Sequence, residues 1–502
     1  MTKETTLCKD SNGESHLDIT KCNDVIIVGA GVAGSVLAHT LGKDGRKVHV
    51  IERNLNEPNR IVGELLQPAG YLKLLELGLE DCVRDIDAQM VYGYTVYKDG
   101  KSIKLPYPLQ NYDSDVAGRC FHQGRFIQGL RKKAASLPNV KLVQGTAVSL
   151  IEERGTIKGI RYNTRAGQEL TVFAPLTVIC DGCFSSFRKF LSTPKIDTPS
   201  HFAGFIIENC ELPYPNYVHL ILGNRTSFVL YPISSTEVRF LIDFPGPKPP
   251  SISNGEMAHL LKTAVAPQVP IELYGAFLSS VDKAKIKVMP SSCMPAKPCL
   301  TPGAILLGDA LNMRHAITGG GMTVALHDIT ILKNLFKNIN LNDTEKVTKY
   351  TQDFYNIRKP MAFTMNVVAD SLYNVITISN EESRKEIQQA CFDYISRFSK
   401  ISEGVVGLVS GINPHRYRLL LHLFAIAIYT VGSMILVPVP SPKRVYAAAR
   451  LALSAAAIVI PIIWNEKMKG DTNSISESTT SYDVVIVGAG VAGSALAYAL
   501  GK

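Results

Sequence analysis

The segment Asp24-Val-Ile-Ile-Val-Gly-Ala-Gly-Val-Ala-Gly-Ser35 constrains the fold of this chain more than any other stretch. Val25 to Val28 are four consecutive β-branched residues, suited to a strand buried on both faces. Gly29, Gly31 and Gly34 follow in the spacing G-x-G-x-x-G. The first permits a tight turn, the second lets backbone approach a pyrophosphate, and the third lets the next helix pack against the strand. That helix, roughly Gly34 to Gly42, directs its N-terminal N–H groups at phosphates. A second apolar strand, Lys47 to Ile51, ends in Glu52, eighteen positions after Gly34, where an acidic side chain binds a ribose hydroxyl. Strand, loop, helix, strand and terminal acid together predict a Rossmann-like dinucleotide-binding unit.

The motif recurs at 483–494. Extended to Gly-Lys, the two copies agree at sixteen of twenty positions. The second copy has no following strand and no terminal acid before Lys502, and about twenty residues cannot bury enough surface for a nucleotide domain. The stretch 470–481 before it is polar and Ser/Thr-rich, like a linker or a disordered tail. Residues 470–502 are therefore expected to be a linker and a truncated, non-functional repeat. The expected origin is a tandem-duplicated neighbour joined by read-through or by faulty gene prediction.

A dinucleotide unit can hold NAD or FAD, and later segments argue for FAD. Leu176 to Cys180 reads as a strand leading into Asp181-Gly-Cys-Phe-Ser-Ser-Phe-Arg188, which fits D-G-x-x-S-x-x-R. Ala304 to Leu307 is another strand, ending in Gly308-Asp309-Ala310, where a carboxylate can accept hydrogen bonds from ribityl hydroxyls. Asn312-Met-Arg-His315 and Thr318-Gly-Gly-Gly-Met322 then open a helix. Its positive end would sit beside the flavin pyrimidine and stabilise the negative charge of reduced flavin. In this order the segments resemble FAD-dependent monooxygenases of the aromatic-hydroxylase fold type. The expected fold is α/β: a Rossmann-like FAD-binding domain of that type, an antiparallel-sheet substrate domain and a C-terminal hydrophobic helical hairpin.

Composition narrows the partners. The net charge of +9, from 53 basic and 44 acidic side chains, comes without a long basic block interleaved with aromatics, so no nucleic-acid binding is expected. A modest basic excess suits an anionic membrane surface. Ten cysteines without a repeating spacing point to reduced thiols and a cytosol-facing protein. Cys180 and Cys183 form a C-x-x-C, but no second ligand pair lies nearby and the eleven histidines form no cluster, so no metal site is expected. Residues 1–23 are polar and are expected to be a disordered tail without a signal peptide.

Two apolar runs, Leu419 to Val439 and Val445 to Trp464, are joined by a short Pro-rich turn. Each approaches the length needed to span a bilayer. A membrane hairpin is the favoured reading over a pair of buried core helices. Arg416, Arg418, Lys443, Arg444, Lys467 and Lys469 put basic residues at every end, which favours a monotopic hairpin lying near one headgroup layer. Met90 to Tyr97 and residues 200–290 alternate apolar and polar positions between Pro- and Gly-rich turns, as in an antiparallel sheet covering the flavin. The expected organisation is a discontinuous FAD-binding domain (24–89, 119–190 and 300–360), a substrate domain (90–118 and 191–299) and a helical membrane-associated region (361–469).

Longer segments narrow the resemblance. Arg60-Ile-Val-Gly-Glu-Leu-Leu-Gln-Pro-Ala-Gly70, Leu77-Gly-Leu-Glu-Asp-Cys82, Gly118-Arg-Cys-Phe-His-Gln-Gly-Arg125 and Thr318-Gly-Gly-Gly-Met-Thr-Val-Ala-Leu326 are similar to squalene epoxidases. The similarity runs from about Asp24 to about Trp464 and includes the hydrophobic C-terminal helices, which aromatic hydroxylases lack. It implies epoxidation of squalene by O2 to 2,3-oxidosqualene through a flavin C4a-hydroperoxide, with water kept from the site. It also implies electrons from NADPH through a separate NADPH-cytochrome P450 reductase, contact with membrane lipid, and a place on the cytosolic face of the endoplasmic reticulum. By matching positions it implies FAD contacts at Val32, Ala33, Glu52, Arg53, Arg60, Arg131, Ala147, Asp309 and Met322, beside the glycines of the loop. Arg60 and Arg131 have surface ion pairing as their alternative. Tyr94 matches an active-site tyrosine that positions the flavin or its neighbouring glutamine rather than transferring a proton; a plain packed tyrosine is the alternative.

Three places depart from the pattern of that family: Ala69 before Gly70, Ala316-Ile317 between His315 and Thr318, and Ser399 to Gly404 before the hairpin. A positive φ at Ala69 would penalise its Cβ. Loss of proline at 316 costs about 0.4–1 kcal/mol through unfolded-state entropy. A folded but impaired paralogue is therefore one alternative, and a soluble aromatic hydroxylase is another.

Overall fold

Val25–Val28 forms a central strand of a seven-stranded sheet and is buried along its whole length. The fold is that of a computed structural model, which describes residues 8–9, 15–16, 23–223, 227–283, 285–376, 382–397 and 399–435. In spatial order the sheet runs Glu169–Phe173, Thr156–Thr164, Val140–Glu153, Val48–Glu52, Val25–Val28, Leu176–Ile179 and Ala304–Leu306. The last five strands are mutually parallel, and the first two add antiparallel edges. Parallel strands must be covered on both faces, which is why Val25–Val28 and Leu176–Ile179 consist of apolar and β-branched residues without polar alternation.

The helices are α1 Val32–Lys43, α2 Pro68–Leu77, α3 Gln123–Ala135, α4 Arg188–Leu191, α5 Glu256–Leu260, α6 Ile271–Lys283, α7 Gly321–Phe336, α8 Thr344–Ile376, α9 Glu382–Arg397, α10 Ser399–Val409 and α11 Arg416–Ile435. Pro68 opens α2, where its missing N–H costs nothing, and Gly78 ends it in the left-handed conformation.

A second seven-stranded sheet runs Lys287–Cys293, Asp197–Glu208, Glu237–Pro245, Phe228–Pro232, Val218–Ile221, Gly93–Lys98 and Lys101–Pro106. It is antiparallel except where Val218–Ile221 lies parallel to Gly93–Lys98. Strand alternation divides its side chains. Phe205, Phe240 and Ile242 point to one face, where they pack with Phe277 of α6. Phe202 and Leu241 point to the other and line a cavity against the first sheet.

Three expectations change here. Residues 256–283, expected to belong to strands, are largely helical: Leu273, Phe277 and Val281 recur at helical spacing and bury against the outer face of the sheet. Met90 to Tyr97 is not one strand. It divides at Gly93, where a Cβ would lie 2.2 Å from the Leu105 carbonyl oxygen. Gln89–Val91 pairs with Gly118–Cys120, while Gly93–Lys98 joins the large sheet. The boundary placed at 360 falls inside α8, which continues through Pro360.

Helix α11 covers the described part of the first apolar run. Among the described residues no helix is long and apolar enough to cross a membrane. The Pro-rich turn, the second apolar run and the second glycine motif lie outside the described residues.

Candidate active site

The turn after Val28 forms one end of a cavity of about 830 Å3. Gly29 has φ +96°, and a Cβ there would sit 2.5 Å from the Cys180 carbonyl oxygen. Gly34 lets α1 close on the turn, since its Cβ would meet the Gly29 carbonyl oxygen at 1.9 Å. Glu52 braces the same turn: one carboxylate oxygen accepts from Ala30 N–H (2.7 Å) and the other from Asn54 N–H (3.1 Å). Arg131 is buried beneath it. Its Nε donates to the Ala30 carbonyl (2.8 Å), its Nη1 to the Asn56 carbonyl (3.2 Å), and its Nη2 lies 3.7 Å from Glu52. Surface ion pairing therefore does not describe Arg131. Arg53 and Arg60 are exposed where they line the cavity.

The next wall comes from two strand ends. Arg188 donates Nε to the Ala310 carbonyl (2.9 Å) and Nη2 to the carbonyls of Gly182 and Cys183 (both 3.0 Å), clamping one turn onto the other. Asp181 accepts from Ser186 N–H (3.0 Å), and burial raises its pKa. Asp309 is exposed by area where it lines the cavity, though protein packs densely around it. Burial raises its pKa, while the charges of Arg314, then Arg60 and Arg188, oppose that rise. Met322 and Gly321, at the start of α7, and Ala147 complete this end. Of all the residues expected at the site, Gly34 alone does not line the cavity; it packs behind the loop.

Tyr94 also lines the cavity. Gln67, fully buried before α2, donates Nε2 to the Tyr94 hydroxyl (2.5 Å) and to the Thr318 carbonyl (2.6 Å). Tyr107 donates to Gln67 Oε1 (3.0 Å), and its ring meets Tyr94 edge-on at 5.6 Å. Burial pushes the Tyr94 phenol up to about 12, so it stays protonated at neutral pH. Most side chains that the second sheet and α8 to α11 give to the cavity are apolar, among them Leu105, Phe202, Leu241, Phe392, Val406 and Leu419, with Tyr231, Ser371 and His422 as polar members.

Three observations fit a flavin dinucleotide at the glycine end. A Cβ on Gly31 would meet no atom within 4 Å, so the space before the loop is open. Helix α1 starts without a side-chain cap, leaving its first N–H groups facing that space. Asp181 Oδ1 is buried at the cavity wall without a partner.

The squalene epoxidase family model matches residues 173–446. The chain is 58% identical to squalene epoxidase 3 of Arabidopsis thaliana over 447 residues, covering 89% of this chain and 85% of that protein. The chain belongs to the squalene epoxidase family. A squalene monooxygenase of Panax ginseng is 56% identical over 92% of this chain and 86% of its own length. A model of NAD(P)-binding Rossmann-like domains matches residues 27–56. Among solved structures, pqsL, a probable FAD-dependent monooxygenase from Pseudomonas aeruginosa, aligns at 21% identity and TM-score 0.60 over 74% of this chain and 99% of its own. A flavoprotein/dehydrogenase from Cytophaga hutchinsonii aligns at 15% identity and TM-score 0.63 over 82% and 99%. At such identities these two show the fold.

In this member of the squalene epoxidase family, two buried polar clusters escaped the sequence reading. Glu64 takes both Nε and Nη2 of Arg239 (2.8 and 2.7 Å) and a hydrogen bond from Tyr231 (3.2 Å). Further along the same strand, Asp243 Oδ2 and Ser200 Oγ approach His315 Nε2 at 3.6 and 2.9 Å. Burial pulls the His315 imidazole down to about 3 and pushes Asp243 up to about 7, so between those values the contact joins neutral groups rather than an ion pair. Each cluster ties the second sheet to a segment of the first domain. The departures from the family pattern also find a place. Ala69 lies in α2 and is not among the residues with positive φ, so the expected Cβ penalty does not arise. Ala316 and Ile317 form a short turn that His315 caps through Nδ1, accepting from Ile317 N–H (3.4 Å).

Proposed function

We propose that this chain is a squalene monooxygenase that transfers one oxygen atom of O2 to the terminal double bond of squalene, giving (S)-2,3-oxidosqualene, and releases the other as water. Its carrying observation is a cavity lined both by the glycine loop and by many apolar side chains of the second sheet and α8 to α11. FAD supplies the oxygen-activating redox chemistry when bound.

The protein's part is binding, orientation and exclusion of water. Gly29, Gly31, Val32 and Ala33 present backbone to the pyrophosphate at the N-terminus of α1. Glu52 offers its remaining lone pairs to a ribose hydroxyl, with Arg131 fixing its position. Asp309 accepts from ribityl hydroxyls. Arg53, Arg60, Ala147 and Met322 enclose the rest. Tyr94, Gln67 and Tyr107 form a rigid polar partition between flavin and substrate, and the protonated phenol orients its neighbours rather than moving a proton. The walls beyond offer a C30 hydrocarbon dispersion contact and no water.

Electrons come from NADPH through a separate reductase. Delivery of a hydrocarbon nearly insoluble in water favours a membrane-docked mouth on the cytosolic face of the endoplasmic reticulum. Tyr417, Leu421, Phe424 and Ile428 are exposed at i, i+4, i+7 and i+11 along α11, a stripe suited to lying in the interface. Arg416 and Arg418 beside it suit anionic headgroups.

The test is oxidosqualene formation by membranes carrying this chain, given squalene, NADPH and reductase, alongside rescue of a sterol-auxotrophic cell lacking the activity. Tightly bound FAD with neither product nor rescue would overturn the proposal.

A further inference from the structure

Arg314 is the feature of the cavity that the reading above leaves without a task. It is buried, yet it lines the cavity together with Asp309, Gly321 and Met322. Two asparagine side chains orient it. Its Nε donates to Asn366 Oδ1 on α8 (2.9 Å), and its Nη2 to Asn312 Oδ1 (2.6 Å). Asn312 is itself anchored through Nδ2 to the Met294 carbonyl (2.8 Å). Nη1 lies 3.8 Å from the position that a Cβ on Gly321 would take. The guanidinium is thereby aimed at the first turn of α7, whose N-cap Gly320 supplies no side-chain cap. Its field reaches across the wall, because Arg314 is the largest influence opposing the burial of Asp309.

A fixed cation and an uncapped helix N-terminus thus act on one patch of wall. Isoalloxazine accepts two electrons and one proton to become a monoanion, whose charge concentrates on the pyrimidine edge. A cation beside that edge favours the reduced ring over the neutral oxidised one. Because the guanidinium is already oriented by two amide oxygens, it needs no reorganisation when the charge arrives.

We propose that Arg314, acting with the N-terminus of α7, holds the reduced flavin in its anionic form and sets the potential at which the protein accepts electrons. This rests on the reading of the cavity as an FAD site. The test is spectroelectrochemical titration of the purified full-length flavoprotein and of its R314Q, R314K and N366A variants, with absorbance reporting the protonation of the reduced ring. R314Q is expected to shift the two-electron equilibrium at least tenfold toward the oxidised form, about 30 mV. Its reduced ring should also take up a proton at a pH where the wild-type ring remains anionic. R314K and N366A, which keep a cation but lose its aim, should shift in the same direction by less. If R314Q yields no flavoprotein, those two variants decide. Potentials and reduced spectra equal to wild type in the variants that bind FAD would overturn the role of Arg314 and leave the FAD site standing. A wild-type chain that takes up no FAD would remove the site itself.

Discussion

Glu64 and Arg239 meet in a two-bonded ion pair, 1% and 4% exposed, that fastens an interior strand of the second sheet, Glu237–Pro245, to the segment leading into α2. Removing one partner leaves a charge buried alone, which costs about 3–5 kcal/mol, whereas replacing both with apolar groups of similar volume is often nearly neutral. Thermal unfolding of E64M and R239M should therefore show large losses. The double variant E64M/R239M should lose much less than the sum of the two. Additive losses would mean that the pair does not act as a unit.

The glycine loop separates folding from cofactor binding. A methyl at Gly31 meets nothing within 4 Å, so G31A should keep the stability of the flavin-free protein within about 0.5 kcal/mol while losing bound flavin. A methyl at Gly34 would lie 1.9 Å from the Gly29 carbonyl oxygen, so G34A should lose both. Flavin absorbance per protein, with melting temperature, reads the two variants apart. Equal behaviour would contradict the geometry.

Tyr94 is expected to orient, not to titrate. Its phenol stays protonated until about pH 12, so no limb of the activity profile below pH 10 should belong to it. Y94F removes an acceptor from Gln67 at a cost of about 1 kcal/mol. Activity should fall roughly in proportion, about fivefold, with the shape of the pH profile unchanged. A limb lost in Y94F would show proton transfer through the phenol.

Asp243 and His315 should give opposite slopes to stability. The folded pKa of Asp243 is raised to about 7, above its unfolded value. The unfolded chain therefore ionises first, and stability is lost as pH rises from about 4 to 7, by up to about 4 kcal/mol at 1.36 kcal/mol per unit. The His315 value is lowered to about 3, so its contribution is lost as pH falls below about 6.5. D243N keeps the shape and removes the first slope. Its stability relative to wild type should rise between pH 4 and pH 8, read by unfolding at both. A constant difference would refute the titration of Asp243.

The exposed stripe of α11 is expected to carry membrane attachment. Burying one leucine or isoleucine side chain yields about 1.5–3 kcal/mol, and tenfold in affinity is about 1.4 kcal/mol. Leu421→Glu combined with Ile428→Glu should weaken sedimentation with anionic vesicles at least about tenfold, with little change in melting temperature because both side chains are already exposed. Unchanged sedimentation would place the attachment elsewhere.

The glycine-loop end of the cavity was legible because its pattern is local. Close approach of backbone calls for glycine at fixed spacing, with an acid at the end of the next strand; Gly29, Gly31, Gly34 and Glu52 carry that pattern within one short stretch. Arg131 was named for contact with the cofactor; it lines the cavity, and what the sequence did not show is that its bonds to Ala30 and Asn56 also brace the loop. Leu273, Phe277 and Val281 were hidden among strands because a short apolar segment carries both periods until its neighbours choose one.

By itself, the sequence determined the strand–glycine–helix unit, the two carboxylate turns at Asp181 and Asp309, and the strand character of much of the second sheet. Each depends on residues a few positions apart. Only the tertiary structure decided which polar side chains meet. Glu64 finds Arg239 across 175 positions and Ser200 finds His315 across 115. Their contact is set by strand register and by the packing of one sheet against the other, and a buried charge or imidazole is tolerable only where that packing supplies its partner.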